Sequence, residues 1–354
     1  MASSESGRHW SFGDSDFGFP HRFLSGRSLR IASETFYWHP EIRQALGAKR
    51  PDILLVAGAW IHPTVLSAAL SPAPARIIFW SESHVQSIRR SGFVTRLARR
   101  WVLSQFSEFA VPGELARRYV EQHRSPGVRI FYLPNLVDPS VFHDQVRESR
   151  PVANRDPHPN RRVLLIVARL SEEKGLLPFL EGIRRLDSGE KDKLTLLIAG
   201  SGRLGLQIEE WISRHDVDVQ LLGQQPELQL TGLYALADGF CLPSISDPNP
   251  ISVIEALWAG LPLLLSSRVG NHPECLRSGM NGFLFDPTNP QSIAQQVSKW
   301  LALSRAELAT FGESSLQIAR TCFDPAAGVT TFLEEVLEAS GEGARYLQSA
   351  AALG

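Results

Sequence analysis

The stretch RVLLIVARLSEEKG, residues 162–175, joins a short apolar run to the start of a helix-like segment. An unbroken apolar run of this length predicts a strand buried on both faces, as in a parallel sheet covered by helices. Similar runs alternate with helix-like segments at residues 52–59, 75–80, 129–134, 193–200, 217–223, 238–244 and 261–267. This alternation predicts an α/β fold with parallel sheets.

The length of the chain and one polar segment predict two domains. At 354 residues the chain exceeds the usual size of a single hydrophobic core. The segment HDQVRESRPVANRDPHPNRR, residues 143–162, is polar and contains prolines, so it is the predicted interdomain linker. We therefore expect domains at residues 1–150 and 151–323, followed by a C-terminal helix and tail at residues 324–354.

The composition excludes several classes of protein. A formal net charge of −1 gives no reason to expect nucleic acid as a partner. The three cysteines (Cys241, Cys275 and Cys322) lack metal-ligand spacing, so neither a disulfide framework nor a zinc site is expected. No apolar run approaches the roughly 18 residues of a membrane span, and the first residues lack a signal-peptide pattern. We therefore expect a cytoplasmic protein.

Two cations follow the first apolar run. Arg169 stands at the carboxyl end of the predicted strand, and Lys174 lies in the first turn of the next helix, with Ser171 as the predicted N-cap. Ligands of open α/β sheets bind at the carboxyl ends of strands, where helix N-termini favour anions. An arginine and a lysine there suit a diphosphate. Alternatively, the segment is a capped helix start whose charged side chains are only solvated.

A G-x-G-x-x-G pattern, formed by Gly200, Gly202 and Gly205, follows another predicted strand. The dinucleotide-binding fingerprint also requires an acidic residue at the end of the next strand. Here that strand ends at Gly223, and Asp218 precedes it, so the fingerprint is incomplete. We therefore expect a tight turn beside a ligand rather than a nicotinamide or flavin site.

Two carboxylates, Asp247 and Glu255, lie in SDPNPISVIEALWAG, residues 246–260. The prolines predict a turn, residues 251–258 a helix, and Gly260 its C-terminal end. Glu255 borders the apolar face of that helix, one turn inside, where a carboxylate can accept hydrogen bonds from the hydroxyls of a ligand. The alternative is that Asp247 only caps the helix and Glu255 is only solvated.

In combination, these segments resemble the retaining glycosyltransferases of family 4, the glycosyl transferases group 1. Five segments occur in the family's order: YLPNLVDPSVF (132–142), VARLSEEKG (167–175), IAGSGR (198–203), LPSISDPNPISVIEALWAGLPLLLSSRVG (242–270) and GMNGFLFDP (279–287). The resemblance implies the GT-B fold, in which two Rossmann-like domains with parallel sheets face a central cleft. It also implies an acceptor-side N-terminal domain and a C-terminal domain that binds a nucleotide-sugar.

The resemblance further implies transfer of a sugar from a nucleotide-sugar, a UDP- or GDP-sugar, to a hydroxyl acceptor, without a cofactor or metal. It assigns Arg169 and Lys174 to the donor diphosphate, Asp247 to the donor sugar and Glu255 to the nucleotide ribose. His84, in FWSESH at the end of an N-terminal strand, would face the donor sugar; alternatively it caps or solvates its loop. The other implied donor-binding positions are Gly202, Gly223, Asn249, Pro250, Ile251 and Ser252.

Departures from the family pattern leave other functions open. The first acid is Asp247 where glutamate is common, and the loop reads Pro-Asn-Pro where Phe-Gly is frequent. Residues 1–30 hold no convincing opening strand, so the N-terminal domain is expected to be shortened. The alternative function is a nucleotide-sugar-binding partner or regulatory subunit with an incomplete acceptor domain. An epimerase or phosphorylase would need a phosphate or lysine-cofactor site that the sequence does not show.

A basic amphipathic segment lies between Arg89 and Phe106. Phe93, Leu97 and Trp101 are spaced as one face of a helix, and they are surrounded by arginines: Arg89, Arg96, Arg99 and Arg100. Such a helix can bind peripherally to an anionic membrane, here the inner membrane face. Alternatively, it is a core helix with a solvated basic face.

Overall fold

The computed structural model describes residues 19–31, 34–72, 74, 76–84, 92–124, 127–153 and 161–339. The strands are β1 (Arg27–Ile31), β2 (Glu34–Trp38), β3 (Ile53–Ala57), β4 (Arg76–Trp80), β5 (Glu108–Val111), β6 (Arg129–Tyr132), β7 (Arg162–Val167), β8 (Leu194–Ala199), β9 (Asp218–Gly223), β10 (Gly239–Leu242), β11 (Leu263–Ser266) and β12 (Gly282–Phe285). The helices are α1 (Ile42–Lys49), α2 (Pro63–Ala69), α3 (Phe93–Leu103), α4 (Glu114–His123), α5 (Val146–Ala153), α6 (Leu176–Ile183), α7 (Ser188–Lys191), α8 (Gly205–Arg214), α9 (Glu227–Leu236), α10 (Ile251–Trp258), α11 (His272–Cys275), α12 (Pro290–Ala302), α13 (Arg305–Cys322) and α14 (Pro325–Glu338). A π-helical turn at Ser140–Gln145 and a 3-10 turn at Glu172–Lys174 complete the helical segments of these residues.

The chain divides into two units. The first comprises Met1–Ser81, Arg89–Ala110 and Val120–Phe131, and the second comprises Glu82–Ile88, Val111–Tyr119 and Tyr132–Gly354. The second unit therefore includes short segments from the first third of the chain. The functional boundaries expected at residues 150 and 323 remain predictions.

Strands β3 to β6 form a four-stranded sheet in sequential order, most of it in the first unit. The pairings of β3 with β4 and of β4 with β5 are parallel, as the sequence predicts. An aromatic cluster packs on this sheet, with the rings of Phe79 and Phe106 stacked at 4.7 Å between centroids and Phe109 against both. β1 and β2 form a separate antiparallel hairpin, so β1 does not supply an opening strand to the parallel sheet.

The six-stranded sheet of the second unit has the order β12-β11-β10-β7-β8-β9, and its pairings are parallel. The chain winds outward from β7 through β8 to β9, then returns to place β10 on the other side of β7. This is the doubly wound order, and the strand order reverses between β7 and β10. Ligands of such sheets bind at the carboxyl ends of the strands at this reversal.

The strand β7 is buried on both faces, which confirms the expectation from its unbroken apolar run. Leu164 and Ile166 belong to one apolar cluster, whereas Val163 and Leu165 belong to the cluster on the opposite face. Alternate side chains of a strand point to opposite faces, so helices cover this sheet on both sides. The sheet is therefore a rigid platform for the loops at its edge.

The predicted linker and two short strands of the parallel sheets differ from the sequence-based expectation. The predicted linker at residues 143–162 begins as a helix, because the π-helical turn continues into α5 and buries Phe142 and Val146. Residues 154–160 of that linker lie outside the described part of the chain. β5 and β12 were not predicted, because each has only four residues, and β5 begins with Glu108 and β12 with Gly282.

Across the described ranges, no helix is long and apolar enough to cross a membrane. The three cysteines are free thiols; Cys241 and Cys275 are buried and Cys322 is exposed.

Candidate functional site

The candidate site lies where the doubly wound sheet reverses its strand order. Arg169 follows β7, Gly202 follows β8, Gly223 ends β9, and Asp247 follows β10. Since these four strands are neighbours in a parallel sheet, their carboxyl ends meet at one edge. The fold therefore gathers at one edge positions that are almost 80 residues apart in sequence.

Lys174 and Asp247 form an ion pair between Nζ and Oδ2, and both side chains are largely buried, at 15% and 9% exposure. Ser244 Oγ also donates to Oδ2, at 3.2 Å. The N-cap position of α10 is Pro250, without a side-chain capping bond. The alternative role of Asp247 as the cap of this helix is therefore wrong. A buried carboxylate needs a partner, and Lys174 supplies it.

The turn that carries Lys174 differs from the prediction. Residues Glu172–Lys174 form a 3-10 turn rather than the first turn of an α-helix, and the Ser171 side chain makes no capping bond there. α6 begins two residues after Lys174. The short turn places the lysine beside the loop after β10, which explains its contact with Asp247.

Arg169 is more exposed than Lys174. Its Nη2 donates to Glu173 Oε1 at 3.1 Å, and 56% of its side chain is accessible. An ion pair this exposed contributes at most about 1 kcal/mol, because water competes with it. The guanidinium can therefore exchange Glu173 for a bound anion at little cost.

The glycine turn after β8 allows close backbone packing. The N–H of Gly200 donates to the carbonyl of Gly223 at 2.8 Å, which joins the ends of β8 and β9. A Cβ on Gly202 would lie 2.4 Å from the carbonyl oxygen of Leu170, so only glycine fits. Asp218 accepts hydrogen bonds from Arg161 and Thr195 at the opposite end of β9. It therefore cannot serve as the ribose-binding acid of a dinucleotide fingerprint.

The loop before α10 is held by several hydrogen bonds. Asn271 Nδ2 donates to the carbonyl of Pro250 at 3.0 Å, and the N–H of Gly270 donates to the carbonyl of Asp247 at 2.8 Å. A Cβ on Gly270 would lie 1.7 Å from the carbonyl of Pro248, so this approach also requires glycine. The predicted binding positions of this loop are Asn249, Pro250, Ile251 and Ser252; Asn249 is buried and Ile251 exposed.

The helix α10 spans Ile251–Trp258, as predicted, and Gly260 has the left-handed φ of +64° expected after a helix. Glu255 is partly buried beside the apolar face. Its Oε2 accepts a hydrogen bond of 2.6 Å from the hydroxyl of Tyr234. Burial raises the pKa of Glu255 to about 7, although the Tyr234 hydrogen bond acts in the opposite direction.

His84 is fully buried in the second unit, next to the Asp247 loop. A Cβ on Gly270 would come within 2.9 Å of the His84 ring. A positive charge on the imidazole would interact with Asp247. Burial lowers the pKa of His84, so the imidazole is neutral at pH 7. The alternative of a solvated surface histidine is therefore wrong.

Comparison with known proteins identifies part of the chain. Residues 151–315 match the family model described as glycosyl transferases group 1. An uncharacterised glycosyltransferase of Methanocaldococcus jannaschii is 32% identical over 183 residues, which cover 49% of this chain and 45% of that protein. A glycogen synthase of Mycobacterium tuberculosis is 27% identical over 300 residues, covering 78% of this chain and 68% of the enzyme.

Residues 151–315 are therefore similar to the glycosyl transferases group 1, a match that covers less than half of the chain. The named relatives support a glycosyltransferase enzyme, although the chain spans less than half the length of the archaeal one. Among solved structures, Anabaena HepE in complex with UDP and glucose is similar with a TM-score of 0.67 and 17% identity, covering 85% of this chain and 81% of that chain. Sucrose-phosphate synthase from Thermosynechococcus elongatus is similar with a TM-score of 0.68 and 18% identity, covering 88% of this chain and 78% of that chain. The fold is thus of the GT-B type, with parallel sheets in Rossmann-like arrangements.

The second unit also contains polar residues that the sequence did not single out. Tyr234 lay in an apolar helical stretch that looked like core, and only the fold brings it to Glu255. Asn135 donates to Glu82 at 2.9 Å and contacts the Asn249 carbonyl at 3.4 Å. Its place in the YLPNLVDPSVF segment was the only signal for it.

Proposed function

We propose that the protein is a retaining glycosyltransferase that moves a sugar from a nucleotide-sugar to a hydroxyl acceptor. The observation that carries this proposal is the buried Lys174–Asp247 pair at the strand reversal, with Arg169 on the adjacent strand end. A cation and a carboxylate held together in one place suit a donor that has an anionic diphosphate and a hydroxyl-rich sugar.

The cations would stabilise the departing nucleoside diphosphate. An ammonium has three N–H donors, and Asp247 uses one of those of Lys174, so the others remain for phosphate oxygens. Arg169 can release Glu173 and bind the phosphates with its planar guanidinium. Negative charge grows on the diphosphate as the sugar leaves, so these contacts strengthen in the transition state.

The two acids would hold opposite ends of the donor. Glu255 would accept hydrogen bonds from the ribose hydroxyls, and Asp247 would lie by the sugar. The resemblance assigns His84 to the sugar end of the donor, and the neutral imidazole is packed beside the Asp247 loop. The remainder of the donor-binding site would be lined by backbone amides of the loop before α10 and by the glycine turns at Gly202 and Gly223. The departing phosphate would take the proton from the acceptor hydroxyl, so the reaction would need no base from the protein.

The donor would be a UDP- or GDP-sugar. HepE was solved with UDP and glucose, and a relative from Corynebacterium glutamicum is a GDP-mannose-dependent alpha-mannosyltransferase, 26% identical over 183 residues. A panel of UDP- and GDP-sugars tested for thermal stabilisation, slow hydrolysis and transfer would decide the base. A ligand at 100 times its dissociation constant stabilises a protein by about 2.7 kcal/mol.

The same panel separates the two candidate functions. Stabilisation together with hydrolysis or transfer supports the enzyme. Stabilisation without any turnover on any acceptor supports the nucleotide-sugar-binding subunit. No response to any nucleotide-sugar contradicts both.

We further propose that α3 binds peripherally to an anionic membrane, near which a lipid-linked acceptor would be found. Four apolar side chains of α3 are at least half exposed, at 67%, 78%, 51% and 53%: Phe93, Val94, Leu97 and Trp101. The alternative core-helix interpretation placed these residues inside the protein. Instead, Val102 and Leu103 form the buried face.

The arginines of α3 divide between two roles. Arg99 is 7% exposed and lies over the Trp60 ring at 5.3 Å, so it belongs to the packing of the first unit. Arg96 and Arg100 are exposed and run along one edge of the apolar stripe. α3 contains no acidic residue. An apolar stripe edged by cations matches the surface of an anionic bilayer. Arg89 lies outside the described residues.

A further inference from the structure

Tyr234 is held in place by aromatic packing. It is fully buried on α9, and its ring packs edge-on against Phe142 at 5.8 Å and is stacked against Phe240 at 6.1 Å between centroids. The ring has little freedom in such a core, because neighbouring side chains fix its rotamer. Its hydroxyl is therefore directed at one place, Oε2 of Glu255 at 2.6 Å.

The two oxygens of Glu255 have different surroundings. Oε2 accepts the Tyr234 hydroxyl, which also approaches the carbonyl of Ser252 at 3.4 Å. Oε1 accepts no hydrogen bond from the part of the chain that the structure describes, and the Glu255 side chain is only partly buried. One oxygen is thus anchored, and the other remains open to a ligand.

We infer that Tyr234 is a positioning residue, which fixes the Glu255 carboxylate so that Oε1 meets a ribose hydroxyl and donor binding favours loss of the Glu255 proton. This inference rests on the proposed function, since it needs a nucleotide donor at Glu255. Tyr234 is fully buried and its hydroxyl donates to Glu255, so it acts through Glu255 and does not touch the donor.

The electrostatics of Glu255 support the coupling. Burial raises its pKa to about 7, the Tyr234 hydroxyl lowers it by stabilising the charged form, and Glu227 raises it. Tyr234 and Glu227, both on α9, are the titratable groups that act on Glu255 among the described residues. With a pKa of about 7, Glu255 can gain or lose its proton near neutral pH in the free protein. Ribose hydroxyls that donate to the carboxylate select the charged form.

The test is calorimetry of UDP-glucose and GDP-mannose binding at pH 6, 7 and 8, in two buffers of different ionisation enthalpy. Nucleotide-sugars are used because a terminal phosphate, with a second pKa of about 6, would itself titrate. For the wild-type protein we expect proton release on binding, and affinity about tenfold higher at pH 8 than at pH 6, since one proton must be lost.

Two variants and a control show which side chains cause the pH dependence of binding. Tyr234→Phe keeps the ring packing but removes the hydroxyl, so the pH midpoint should move upward and affinity at pH 7 should fall. Glu255→Gln should abolish both proton release and pH dependence. Tyr119→Phe, at another buried tyrosine on α4, should retain the wild-type midpoint. Circular dichroism checks that each variant is folded.

The outcomes separate the inference from the function on which it rests. If the donors bind with no proton release, or if Tyr234→Phe keeps the wild-type midpoint, the positioning role is wrong and the proposed function stands. If neither donor binds at any pH, both are rejected.

Discussion

The Glu255 carboxylate lies beside the Tyr234 hydroxyl and the apolar face of α10, and this environment affects the free energy of unfolding as well as ligand binding. Its pKa is about 7 in the folded protein against an ordinary value of 4.5. The folded state therefore holds a proton that the unfolded state has lost between these two pH values. Stability due to this group is complete below about pH 4.5 and decreases as the pH rises through 7.

Glu255→Gln removes the cost of ionising a buried acid, so it should raise the free energy of unfolding at pH 8 by up to about 3 kcal/mol and change little at pH 5. Denaturation with urea at both pH values measures this difference. A variant that is less stable than the wild type at pH 8 would contradict the pKa assignment.

At the scale of elements, the exposed stripe of α3 makes the membrane proposal testable. Changing Arg96 and Arg100 to glutamine should weaken binding to phosphatidylglycerol vesicles by about 2 kcal/mol, roughly 30-fold, and the difference should fade with salt. Sedimentation with vesicles measures binding, and pure phosphatidylcholine provides the reference surface. Arg99 is left unchanged because it is packed on Trp60.

A matched control for this experiment is the same charge change on α4, at the exposed Arg117 and Arg118. The control should bind vesicles like the wild type. Equal losses in both variants would mean that overall charge, rather than the α3 surface, drives the association.

Elements with strong local signals could be predicted from the sequence. α10 was predicted to the residue, because a proline precedes it and Gly260 ends it. The strand β7 was predicted from its apolar run. The strands β5 and β12 have four residues each, too few to show a periodic pattern of apolar residues. α5 lies in a polar segment, and its position depends on tertiary contacts of Phe142 and Val146 that the sequence does not show.

The candidate site was predictable to a similar extent. Motif spacing indicated Lys174 and Asp247 separately, but their direct ion pair depends on how two distant loops meet. Tyr234 carried no local signal, because a tyrosine in an apolar helix is ordinary core. Side chains that act through a neighbour are visible only in the fold.

At the scale of the whole molecule, sugar transfer would proceed without a metal ion. The diphosphate charge would be neutralised by Arg169, Lys174 and nearby backbone amides. Donor binding and turnover should therefore be unchanged in EDTA. Loss of nucleotide binding in EDTA, restored by magnesium or manganese, would contradict this expectation.

The central claim is that one acid holds each end of the donor, and the binding of bare UDP and GDP to two variants tests it most directly. Calorimetry at pH 8, where Glu255 is ionised, compares the affinities of Glu255→Gln and Asp247→Asn with that of the wild type. Loss of a hydrogen bond to a charged group costs about 1.5 to 3 kcal/mol, so Glu255→Gln should bind about 10- to 100-fold more weakly. Asp247→Asn should bind the nucleotide as well as the wild type or more tightly, because Lys174 loses its counter-charge. If Asp247→Asn weakens binding as much as Glu255→Gln does, the two acids do not hold opposite ends of the donor.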